Sequence, residues 1–83
     1  MKGIVLNQFY DSLSSKSGLS RASVVVLHPN EAKTRMVTLD GGLNPETVEW
    51  MRVLLESKTG LSNTQLSTYT EEELDSLWNK TMK

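Results

Sequence analysis

The stretch Ala22-Ser23-Val24-Val25-Val26-Leu27-His28-Pro29-Asn30-Glu31-Ala32-Lys33-Thr34-Arg35-Met36-Val37-Thr38-Leu39 decides the fold class. Val24 to Leu27 is an unbroken apolar run, three of its four members β-branched, and Met36 to Leu39 is a second run rich in the same kinds of residue. Branched side chains lose rotamer freedom in a helix and pack well on a pleated surface, so both runs read as strands. Pro29 and Asn30 stand where a turn belongs, and the residues between the runs are few. An antiparallel hairpin is the simplest connection. Four apolar residues in a row imply a first strand covered on both faces, or one that leaves an adhesive face in solvent.

Outward from that hairpin the pattern is helical. Upstream, Val5, Leu6, Phe9, Tyr10 and Leu13 recur at three-and-four spacing and predict a helix from about 4 to 17, closed by Gly18, with Leu19 able to pack back on Leu13. Downstream, Asp40-Gly41-Gly42 breaks the second strand, and Asn44 reads as the N-cap of a helix whose first residue is Pro45. Leu43 and Val48 sit at hydrophobic-staple positions, the apolar stripe runs through Met51, Leu54 and Leu55, and Gly60 ends the helix near 59. Ser62 with Gln65 forms one capping box, marking a short helical turn or an extended connector over 62–69. Thr70 with Glu73 forms another, opening a helix over 71–82 that turns Leu74, Leu77, Trp78 and Met82 inward. The expected fold is therefore α+β: helix, two-stranded antiparallel hairpin, then two main helices joined by a short connector, in one small domain over 1–83.

With 83 residues and no cysteine, the chain has a small core and no disulfide to reinforce it, so partner binding or self-association would add to its stability. Only Ile4, Val5 and Leu6 precede the polar Asn7, too few for a secretory signal, and nothing reads as a membrane span. A cytoplasmic location is the expectation. Charge is divided unevenly: residues 1–35 hold five basic and two acidic residues, and the remainder four basic and eight acidic. Such a split can orient a partner.

One eight-residue segment occurs twice, as Leu13-Ser14-Ser15-Lys16-Ser17-Gly18-Leu19-Ser20 and as Leu55-Glu56-Ser57-Lys58-Thr59-Gly60-Leu61-Ser62. In the first copy Ser14, Gly18 and Val24 stand at the small, glycine and apolar positions of a helix-turn-helix, and the segment resembles the turn of bacterial DNA-binding proteins of that kind. The resemblance implies two helices set at an angle, the second in the major groove. It covers about fifteen residues and stops where bases would be read, because Val25, Val26 and Leu27 offer no donors and Pro29 follows. In the second copy Glu56 replaces the small residue. As helix C-caps both copies are complete, with lysine at the negative end of the dipole and leucine packing back. The opening Met1-Lys2-Gly3-Ile4, with Phe9, Asp11, Lys16, Gly18 and Leu19, also resembles the start of heme-dependent nitric-oxide-binding domains. Those bind heme through a histidine well downstream of the matching segment. The one histidine here, His28, adjoins a proline in the expected turn, so heme does not carry over.

The inventory for catalysis is thin: no cysteine, one histidine, no glycine-flanked serine nucleophile. Asp40-Gly41-Gly42 lacks the fuller phosphate-binding glycine signature, and Glu71-Glu72-Glu73-Leu74-Asp75 lacks the spacing of a calcium loop. No enzyme activity, cofactor or metal is expected. The expected function is a non-enzymatic protein-interaction or regulatory module, of a size that suits an accessory protein of a phage or mobile element. Another protein or a second copy would bind through a hairpin edge or a helical face. Val24, Val26, Arg35, Trp50 and Trp78 are the candidate contact residues. The competing expectation is a DNA-binding regulator that uses Lys16, Arg21, Lys33 and Arg35.

Overall fold

The computed structural model describes residues 2–82. It is all helical: α1 (Lys2–Ser17), α2 (Arg21–Val25), α3 (Pro29–Asp40), α4 (Pro45–Thr59), α5 (Asn63–Leu66) and α6 (Glu71–Thr81). The expected α+β fold is overturned, since the described residues contain no strand and both supposed strands are helical or in a turn. Val24 and Val25 belong to α2, Val26 closes it, and Met36 to Leu39 form the last turn of α3.

Local chemistry explains the difference. Ser20 caps α2 by accepting the Ser23 N–H on its hydroxyl (3.2 Å). Four residues after that cap, Val24 enters the core completely. Pro29 is the first residue of α3, as Pro45 is of α4, and the His28 ring accepts the Asn30 N–H through Nδ1 at 3.1 Å. Ala32 and Met36, one turn apart, then bury one face of α3, and Gly41 ends it in a left-handed conformation at φ 71°. Helix propensities differ by only a few tenths of a kcal/mol per residue, so capping and burial outweigh the β-branched bias. The other expected helices stand where their caps place them, and the connector over 62–69 is the helical turn α5 followed by a loop.

The duplicated octapeptide turns out to be the visible part of a longer correspondence. At its offset, the 42 residues from Gly18 to Gly60, α1, α2 and α3 fall on α4, α5 and α6 in order and nearly in length. Ser20 and Ser62 are counterpart N-caps, as are His28 and Thr70. Phe9, Leu13, Val24, Ala32 and Met36 are buried, and so are their counterparts Met51, Leu55, Leu66, Leu74 and Trp78. Gly18 and Gly60 share φ 78°. The Leu19 N–H is accepted by the Ser17 hydroxyl and the Leu61 N–H by the Thr59 hydroxyl, both at 3.2 Å.

Each half packs its long helix on its own two shorter ones, and α1 also packs on its counterpart α4. Lys33 on α3 pairs with its counterpart Asp75 on α6. Contacts between counterparts are what a two-fold relation between halves produces. One hydrophobic cluster spans the junction, where Phe9 stacks on Trp50 with centroids 3.9 Å apart and planes 6° from parallel. Trp50 in turn lies 5.1 Å from Trp78.

Candidate interaction surface

The duplicated frame separates what the fold requires from what it does not. Exposed large apolar side chains occur at Ile4, Val25, Val26 and Leu39, all in the first half. Their counterparts in the second half are Glu46, Ser67, Thr68 and Thr81. The same backbone positions are thus satisfied by polar residues in one half and carry apolar residues in the other. Val26, the C-cap of α2, is the most exposed of them at 80%.

The five candidate contact residues are divided by the structure. Val24, Trp50 and Trp78 are fully buried, which removes them from any docking surface in the folded chain. The Trp78 indole N–H donates to Asn30 Oδ1 at 2.8 Å, and Asn30 Nδ2 donates to the carbonyl oxygen of Met82 at 2.5 Å, so this pair ties the start of α3 to the end of α6. Val26 and Arg35 remain on the surface. With no strand among the described residues, no hairpin edge is offered to a partner.

The four candidate nucleic-acid residues are each matched with a carboxylate. Lys16 pairs with Asp40 at 2.6 Å, Arg21 with Asp11 at 2.7 Å, Lys33 with Asp75, and Arg35 approaches Glu31 at 3.9 Å. Arg21 also donates to Asn7 Oδ1 at 2.7 Å and lies over the Tyr10 ring, while Lys33 lies over the Trp78 ring. Each positive charge is thus partly offset by a carboxylate of the same molecule. The helix that would enter a DNA groove is the five-residue α2.

Sequence reasoning missed a shallow cleft between α3 and α6, of about 340 Å³. Val37, Gly42 and Leu43 line its apolar side, and Glu71, Glu72 and the Lys33–Asp75 pair supply its charged lining. The three residues of the apolar side come from the end of α3 and the linker, and the carboxylates from the first turn of α6, a juxtaposition no local motif records. A smaller recess of about 250 Å³, with Arg35 and Leu39 among its walls, lies by the end of α3. Among the described residues no group of three or more His, Cys, Asp or Glu side chains is placed to hold a metal ion, and no helix is long and apolar enough to cross a membrane. No known family model, curated protein or solved structure matches this chain.

Proposed function

We propose that this chain is a non-enzymatic protein-interaction module that docks through the exposed apolar positions of its first half. The observation that carries the reading is the internal comparison: four positions that the second half fills with Glu46, Ser67, Thr68 and Thr81 hold Ile4, Val25, Val26 and Leu39 in the first. Burying apolar side chains of this size against a partner releases about 25 cal/mol per Å² of apolar surface, whereas leaving them in water contributes nothing to the fold. The contact is made by helical residues and the α2–α3 turn.

The experiment grafts the second half's residues onto the first, as Ile4→Glu, Val25→Ser, Val26→Thr and Leu39→Thr together. The variant keeps the native circular-dichroism spectrum and unfolding midpoint, and loses the proteins that the unaltered chain captures from a native lysate, or its self-association in sedimentation. Equal capture and equal association by the two chains would sink the proposal, as would an unaltered chain that is monomeric and captures nothing.

A further inference from the structure

We infer that the cleft between α3 and α6 is a second docking site, shaped for a basic segment of another protein in which apolar and cationic side chains alternate. An arginine or lysine laid in it would run its aliphatic stem over Val37 and Leu43 and bring its charge to Glu71 and Glu72. Gly42, without a side chain, leaves the approach open, since nothing lies within 4 Å of where its Cβ would stand.

The charge of the cleft selects a cation. Every other carboxylate among the described residues has a partner. Asp11, Glu31, Asp40, Glu49 and Asp75 are in ion pairs. Glu46 accepts from Ser12, Glu56 from the Asn63 N–H, and Glu73 from the Thr70 N–H. Glu71 and Glu72 alone have no hydrogen-bond or ion-pair partner among the described residues, and both are exposed. The Lys33 charge beside them is already taken by Asp75.

Acidic residues in a first turn do stabilise a helix through its dipole. The first half shows how little of that this frame needs. Glu73 corresponds to Glu31, the only first-turn acid of α3, whereas Glu71 and Glu72 correspond to Pro29 and Asn30. α3 is longer than α6 without them. The two carboxylates are more than this frame requires to form the helix, and they line the cleft.

The site is separate from the exposed apolar positions of the first half and does not depend on them. Titrating the full ¹⁵N-labelled chain with a synthetic peptide of alternating arginine and leucine shifts the Val37, Gly42 and Leu43 amide signals saturably. A peptide of alternating serine and leucine does not. Glu71→Gln with Glu72→Gln, which leaves the Thr70–Glu73 capping box in place, weakens binding about tenfold or more, and Val37→Lys, which brings a cation of the chain's own to the apolar side, blocks it. Val25→Ser with Val26→Thr, which disables the other surface, leaves it unchanged. The inference is overturned if the cleft amides do not shift, if the serine peptide binds as well, if the glutamine variant binds equally, or if arginine peptide and chain meet only through signals spread over all the acidic residues.

Discussion

The two halves of this molecule share a frame and differ in what hangs on it. In both, a long helix ends in a left-handed glycine, a serine caps a helix of five residues or fewer, and a third helix packs against the first. Yet α4 buries Thr47, Val48, Trp50, Met51, Val53 and Leu55, while among the described side chains of α1 Phe9 and Leu13 alone are buried. Trp50 is fully buried and its counterpart Gln8 is exposed; Val53 is buried and its counterpart Asp11 is exposed. The second half supplies the larger share of the core and presents a polar surface, and the first half contributes less to the core and keeps the exposed apolar residues. A frame built from caps and glycines tolerates this division because its determinants lie at helix ends, outside the faces where the halves differ.

The largest test of that comparison is at the counterparts Trp78 and Met36, both fully buried. Trp78→Ala should cost about 4 kcal/mol and Met36→Ala about 3 kcal/mol, measured by urea unfolding. The tryptophan costs more because its ring contact with Trp50 and its bond to Asn30 are lost along with volume. If Met36→Ala proved the more damaging, the view that the second half dominates the core would be wrong.

Gly18→Ala and Gly60→Ala test the shared frame. Each forces a Cβ into φ 78° with nothing else in its way, and each should cost about 1–2 kcal/mol. Equal costs are expected of equivalent turns, and a difference above about 1 kcal/mol would show that the two C-caps are not equivalent.

Thr47→Val is expected to stabilise. Thr47 is fully buried, its hydroxyl has no partner among the described residues, and its counterpart is Val5. Replacing the hydroxyl by a methyl of similar size removes an unpaired buried polar group and should raise stability by up to about 1 kcal/mol. Thermal unfolding of the variant beside the unaltered chain decides it, and a fall in midpoint would mean that the hydroxyl is engaged. The smallest effect belongs to Val26→Thr, which copies Thr68 onto the first half. Stability should stay within about 0.5 kcal/mol of the unaltered chain, because the side chain is 80% exposed.

Most helix ends could be read from the chain because capping is short-range chemistry. Asn44-Pro45, Ser62 with Gln65, and Thr70 with Glu73 each act over three residues or fewer. The same logic applied at His28-Pro29 would have found the start of α3, but the valine run before it and Val37-Thr38 after it carried the opposite bias. Histidine is also an uncommon N-cap, and its ring nitrogen does here what a carboxylate or hydroxyl does elsewhere. The octapeptide repeat showed in sequence because its glycine, leucine and serine are identical. The rest of the correspondence did not, because Ala32 and Leu74, or Met36 and Trp78, share burial without sharing identity. Of the five contact residues named from sequence, Val26 and Arg35 lie on the surface of the folded chain, and the α3–α6 cleft could not be read from sequence at all.

By itself, then, the amino-acid sequence determined where α1 ends and where α4 and α6 begin and end, and it left 62–69 open between a helical turn and an extended connector, since threonine and asparagine caps, proline and left-handed glycine act within one turn of where they stand. Tertiary structure decided that the valine run lies in a short helix and a turn with Val24 in the core, that residues 29–40 are helical, that both tryptophans are core, that Lys16, Arg21, Lys33 and Arg35 each face a carboxylate, and that the halves pack on each other. Those outcomes rest on contacts such as Ser12 with Glu46, Lys33 with Asp75 and Asn30 with Trp78, which join residues 34, 42 and 48 positions apart. Such contacts come into being only when the helices pack, and their free energy exceeds the few tenths of a kcal/mol by which a valine prefers a strand.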